Sequence, residues 1–315
     1  MRRLDHQSPR LLQEAPLPFG AAHPEAAFDP AVSPAGRSAV LVSWDGVGRK
    51  RLRELLAAGR LSGVSALVHH GSLVDITVTD HRTDTKAGHA EMLTGYGPDV
   101  TGVHSNIRFG PIPAGLSVFE ALHRQFGADR VATIMVTAKV GNLGSAGGSL
   151  LWRGRPWHLV RPTLTLWDGD AKRDDAVVGS LAIASLRRFA GQRFFAFFHF
   201  AGADRAGHRK GEGADRHADA IVACDRWLTA IMAELHALAI DRKTMVFVTA
   251  DHGFDAARRR HRNAPRVFLA TNHPGVVRSG DQRDIVPTLL AEMGADAAAQ
   301  EPPRPGRPLT SLVPP

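Results

Sequence analysis

Cysteine is almost absent: the single thiol, Cys224, excludes any disulfide within the chain, and its place between Val222 and Asp225 in a helical pattern makes it a small buried side chain. No apolar run approaches the roughly 20 residues that a membrane-spanning helix needs. The basic opening MRRLDHQSPR passes into Gln, Glu and Pro without the apolar core of a secretory signal, so a cytoplasmic location is expected and no membrane partner. Acidic residues are in deficit, 31 against 39 Lys and Arg, and the net charge of +8 favours anionic ligands. Nucleic acid is nevertheless not the expected partner, because there is no zinc knuckle, RNA-recognition aromatic motif or helix-turn-helix pattern. Internal repeats and low-complexity core segments are also lacking. What is present, 43% hydrophobic and 22% charged residues, suffices for a sizeable core, and 315 residues is a length that open α/β folds reach as one unit.

Residues 1–36 carry Pro16, Pro18, Pro24, Pro30 and Pro34 without a sustained period and read as an extended segment; residues 301–315 read as a Pro-rich tail. The interval 37–300 reads as a single α/β domain. Strand-length apolar runs occur at Ser38–Ser43, Leu73–Thr79, Val131–Val136, Phe194–Phe200, Met245–Thr249 and Val267–Ala270. Helical patterns follow at Arg51–Leu61, from His89, at Ala214–Leu238 and at Asp281–Met293. Alternation of this kind predicts a mostly parallel central sheet flanked by helices on both faces, with the chemistry beyond the carboxyl ends of the strands.

That rule singles out three places. Asp45 ends the run VLVSWDG, Asp204 and His208 follow FFHFAGADRAGH four residues apart, and Asp251 and His252 follow VFVTADHG. Carboxylate with imidazole suits zinc, and manganese or iron take similar ligands. Each signal alone has an ordinary reading, a solvated helix pair or a turn. Three on successive strand ends carry weight together, provided that the sheet brings them to one place.

The segment TDTKAGHAEMLTGYGP resembles the nucleophile region of the alkaline phosphatase superfamily, in which a Ser, Thr or Cys precedes a Thr-Gly pair by nine and ten residues, as Thr85 precedes Thr94 and Gly95. Thr83 and Asp84 resemble the segment before the alkaline phosphatase nucleophile. His89 and VTGVHSN resemble the nucleotide pyrophosphatase/phosphodiesterase branch, and the metal motifs stand in the superfamily's order over residues 38–293. The resemblance implies an alkaline-phosphatase-like fold and two divalent ions, most simply zinc. Asp45, Thr85, Asp251 and His252 would hold one ion; Asp204, His208 and a third histidine would hold the other. His261, before a proline and a strand, is preferred for that third place, and His273 in ATNHPGV is the alternative. Thr85 would be the metal-activated nucleophile, while Asn106 and the backbone N–H of Lys86 would face the phosphoryl oxygens. The Lys86 side chain either serves a dianion or points to solvent. His69, His70, His81, His104 and His199 fit no such pattern and read as structural or surface residues.

The implied activity is hydrolysis of a small-molecule phosphate ester through a phospho-threonine intermediate. Diesters or nucleotide pyrophosphates are preferred because Asn106, the recognisable donor, is neutral. A phosphomonoesterase, a phosphonate hydrolase and a non-catalytic metal-dependent anion-binding protein are the alternatives. A sulfatase is disfavoured, since formylglycine arises from Cys or Ser and not from Thr. Oligomeric state is left open.

Overall fold

The computed structural model describes residues 28–110, 112–139, 151–152, 155–156, 164–168 and 172–310. Eight strands form one sheet: β1 (Ser38–Trp44), β2 (Ser72–Thr77), β3 (Val131–Thr137), β4 (Leu166–Asp168), β5 (Arg193–Phe200), β6 (Thr244–Thr249), β7 (Arg266–Thr271) and β8 (Gly280–Asp281), in the spatial order β8-β2-β7-β6-β1-β5-β3-β4. β7 alone runs against its neighbours β2 and β6; every other pairing is parallel. Buried along their whole length, β1, β3 and β6 are mostly apolar, with only Ser and Thr between the apolar residues, as suits central strands covered on both faces.

The helices are α1 (Arg49–Ala57), α2 (Ser62–His69), α3 (Thr85–Thr94), α4 (Pro98–Thr101), α5 (Val118–Phe126), α6 (Asp175–Phe189), α7 (Gly202–Lys210), α8 (Asp215–Ala237) and α9 (Ile285–Glu292). α1, α2, α6 and α7 all pack on α8, while α3 and α5 pack on α9. The sheet is thus covered by two helical layers, as the alternating pattern predicts. The helix expected over Arg51–Leu61 is α1, which starts two residues earlier and ends at Ala57, because Gly59 at φ +67° turns the chain before α2. The cysteine is buried, as expected for Cys224.

Of the expected extended segment, residues 1–27 lie outside the described residues, and Phe28 packs into the core. Residues 311–315 of the tail likewise lie outside them, whereas Leu309 is fully buried and Arg304 donates to the carbonyls of Thr94 and Leu116. No helix among the described residues is long and apolar enough to cross a membrane.

Candidate metal centre

Four neighbouring parallel strands, β6, β1, β5 and β3, deliver Asp251 and His252, Asp45, Asp204, and Lys139 respectively, each within four residues of its strand's carboxyl end. Adjacent strands lie about 4.8 Å apart, so their tips bring these side chains together without any long excursion of the chain. Asp45 can stand so close to Asp204 because the next residue is glycine: Gly46 has φ +74°, and a Cβ there would lie 2.7 Å from the Phe254 ring and 3.1 Å from the Asp204 Cα. Thr85 comes from the other side, as the first residue of the almost wholly buried α3.

Around Thr85 Oγ1 the geometry is that of a closed cluster. His252 Nε2 lies 3.4 Å from Thr85 Oγ1, 3.6 Å from Asp45 Oδ1 and 3.5 Å from Asp251 Oδ2. A second group adjoins it, with His208 Nε2 3.3 Å from Asp204 Oδ1 and 3.1 Å from His261 Nε2, which is itself 4.0 Å from Asp204 Oδ1. Two triads, Asp45–Asp204–His252 and Asp204–His208–His261, have donor atoms close enough to share a cation.

Two independent features of these side chains fit a metal. Three carboxylate oxygens, Asp45 Oδ1, Asp204 Oδ1 and Asp251 Oδ2, are buried without a hydrogen-bond partner, although their sister oxygens are bonded. In addition, each histidine ties its Nδ1 to a backbone carbonyl: His252 to Gly253, His208 to Arg259 and His261 to Thr83. A carbonyl accepts, so Nδ1 carries the proton and each Nε2 presents a lone pair to the cluster, the arrangement by which proteins orient metal-binding imidazoles. His273 is built differently. Its Nε2 meets Glu292 at 2.7 Å, its Nδ1 accepts from the Gly275 N–H, and its ring stacks on Phe28.

Lys139 is the residue that the sequence reading missed. Its Nζ lies 2.7 Å from Asp45 Oδ2, 2.7 Å from Asp204 Oδ2 and 3.2 Å from Thr85 Oγ1. The strand-tip rule that selects Asp45 also selects Lys139, two residues past β3, but a lysine is not a metal ligand and belongs to no metal motif. His199, read as structural or surface, is buried and meets Asp45 Oδ2 at 2.9 Å; it therefore supports the carboxylate directly. His89 is buried against it, with Nε2 2.9 Å from Ser43 Oγ.

Charge in the cluster is uneven. Burial opposes ionisation of Asp45, yet the Lys139 ammonium and His199 hold its carboxyl well below the usual range. For Asp204, burial and the Asp45 charge are outweighed by His208 and Lys139, and its pKa is lowered as well. For Asp251, burial and the neighbouring Asp45 outweigh the Lys139 and His199 charges and push its pKa well up. The Asp204 carboxylate beside it raises His208, whereas burial and His252 lower His261.

Asn106 and Lys86 depart from the expected arrangement. The Lys86 N–H does not face open space: it donates to Asn106 Oδ1 at 3.0 Å, while the Asn106 N–H donates to Asp84 Oδ2. The Lys86 ammonium lies 3.5 Å from the centroid of Phe109. At the mouth, Arg258, Arg259, Arg260 and Arg262 flank His261, all exposed and without ion pairs among the described residues.

Residues 39–289 match a protein family described as type I phosphodiesterase / nucleotide pyrophosphatase. No curated protein matches the chain. Among solved structures, murine ectonucleotide pyrophosphatase / phosphodiesterase 5 superposes with a TM-score of 0.56 at 12% identity, covering 83% of this chain and 96% of its own. A TAB5 alkaline phosphatase variant gives 0.57 at 12%, covering 82% and 98%. The phosphonate monoester hydrolase of Silicibacter pomeroyi gives 0.56 at 14%, covering 87% and 76%. Sulfatases share the fold too, a 2-O GAG sulfatase among them.

Proposed function

Since the chain belongs to the type I phosphodiesterase / nucleotide pyrophosphatase family, within the alkaline phosphatase superfamily, we propose that it hydrolyses phosphate esters at this centre by attack of the Thr85 hydroxyl. In this reading Asp45, Thr85, Asp251 and His252 hold one divalent ion and Asp204, His208 and His261 a second, with zinc favoured by the mixed imidazole and carboxylate donors. The observation that carries it is the convergence of three partnerless buried carboxylate oxygens and three oriented Nε2 lone pairs beside one buried threonine hydroxyl. When bound, such ions supply positive charge that acidifies a hydroxyl and neutralises phosphoryl oxygens.

The chain's own groups account for the rest. Thr85 sits at the N-terminus of α3, where the helix dipole favours the negative charge that develops on Oγ1 and on the phosphoryl group. The Oγ1–phosphorus bond forms as the bond to the leaving oxygen breaks, giving a phospho-threonine that water then cleaves. Asn106, whose Oδ1 is held by the Lys86 N–H, has its amide Nδ2 left to donate to a non-bridging oxygen.

A neutral donor suits the single charge of a diester or an anhydride-linked nucleotide, and these are the preferred substrates. Lys139 supports a second reading, because an ammonium 3.2 Å from Thr85 Oγ1 adds the charge that a dianionic monoester, or a phosphonate, would meet. Formylglycine chemistry is excluded by the threonine, despite the fold shared with sulfatases. Turnover of bis-nitrophenyl phosphate against mono-nitrophenyl phosphate by zinc-loaded protein tests both readings. A higher kcat/KM for the diester is expected; a higher value for the monoester favours the second reading, and zinc content without turnover of either ester leaves a metal-dependent anion receptor.

A further inference from the structure

We propose that Lys139 is a built-in counter-ion of the centre, a tethered cation that lets the chain fold before any metal ion arrives. Its ammonium has three hydrogens and meets three acceptors, Asp45 Oδ2, Asp204 Oδ2 and Thr85 Oγ1, at 2.7, 2.7 and 3.2 Å. The two carboxylates stand beyond the carboxyl ends of the neighbouring strands β1 and β5, and each gives the lysine one oxygen while its other oxygen, Oδ1, stays without a hydrogen-bond partner. Lysine contact and metal contact therefore fall on different atoms of the same side chains. The need for such a cation is physical: Asp45, Asp204 and Asp251 are all buried within one cluster, and buried charge without compensation costs far more than a surface charge does. Among the described residues no other lysine or arginine pairs with Asp45 or Asp204. Lys139 reaches them from the tip of β3, with its side chain 27% exposed, so the charge enters from the open side of the centre and does not cross the core.

This inference rests on Asp45 and Asp204 belonging to the metal centre, but its test needs neither turnover nor metal in its first arm. Thermal melts are taken of metal-free and zinc-loaded wild type, Lys139→Met and Lys139→Arg. Metal-free Lys139→Met should melt lower by about 6 °C or more, the loss expected when one partner of a buried ion pair is removed from a domain of this size. The zinc-loaded variant should lose much less, because the ions then compensate the carboxylates. Lys139→Arg, which keeps the charge, should stay within about 3 °C of wild type without metal. Equal losses in both states would mark an ordinary packing role and overturn the proposal, as would an unchanged metal-free Lys139→Met or a Lys139→Arg variant as unstable as Lys139→Met. If Lys139→Met does not fold without metal, recovery of its native circular dichroism on refolding with zinc supports the proposal, and failure to recover overturns it.

Discussion

The Nε2 atoms of His208 and His261 stand 3.1 Å apart, although both rings have given their Nδ1 proton to a backbone carbonyl. Two lone pairs cannot bond to each other. Either one ring takes up a second proton, which the raised pKa of His208 allows, or a cation sits between the rings and Asp204. The second arrangement predicts that His208→Ala and His261→Ala each lower the metal content of the purified protein by one ion. His273→Ala should leave it unchanged, since both nitrogens of His273 are engaged elsewhere. Elemental analysis decides; loss of metal in the His273 variant alone would reverse the assignment.

Thr85→Ala should abolish ester turnover while keeping the fold and most of the metal, because the six carboxylate and imidazole side chains of the two proposed ion sites remain and Asp251 still accepts from the Gly46 N–H. Removal of a nucleophile costs catalysis on the order of 10⁴-fold or more. Near-normal kcat in this variant, with substrate saturation unchanged, would show that another group attacks phosphorus.

Proton competition sets the third expectation. Asp251, pushed up by burial and by Asp45, and His208, raised by the neighbouring Asp204 carboxylate, both hold protons more tightly in the folded, metal-free chain than when unfolded. Their contribution to metal-free stability is complete below the ordinary carboxylate and imidazole pKa values respectively, and is lost as pH rises through the raised folded values. Metal binding has the opposite slope, because both groups must shed their protons to act as ligands. Zinc affinity should therefore climb with pH between about 5 and 8, with proton release visible by calorimetry in buffers of different ionisation enthalpy. Affinity that is flat across this range would contradict the ligand roles of Asp251 and His208.

The parallel core was legible because β1, β5 and β6 are predominantly apolar without a strict polar alternation, as a strand buried on both faces is, and because the chemistry of such sheets gathers at their carboxyl ends. Asp45, Asp251 and His252 follow from that rule alone. Other parts of the centre are not written locally. That Lys139 reaches Asp204 depends on β3 being the neighbour of β5, a long-range pairing that periodicity does not reveal. His199 alternates with apolar residues in β5 and reads as a core position; only the parallel register of β5 with β1 shows that it meets Asp45. β4 and β8, at three and two residues, are too short to carry a pattern.

Gly88 offers a test of how closely the nucleophile helix must lie against the sheet. At an ordinary interior helix position, replacing glycine by alanine stabilises by about 1 kcal/mol. Here a Cβ would lie 2.5 Å from the Asp251 carbonyl oxygen and 3.0 Å from its carbonyl carbon, contacts with backbone that cannot swing away. Overpacking of that kind typically costs about 1–3 kcal/mol, enough to cancel or reverse the gain in helix propensity. Relief requires α3 to move off the β6 tip, and Thr85 is one turn away on the same helix, 3.4 Å from His252. A displacement of about 1 Å at a reacting atom can cost on the order of 100-fold in rate. Gly88→Ala should therefore melt no higher than wild type and lose kcat out of proportion to any change in KM, whereas a variant that is more stable and fully active would mean that α3 has room to spare and that its close approach does not position Thr85.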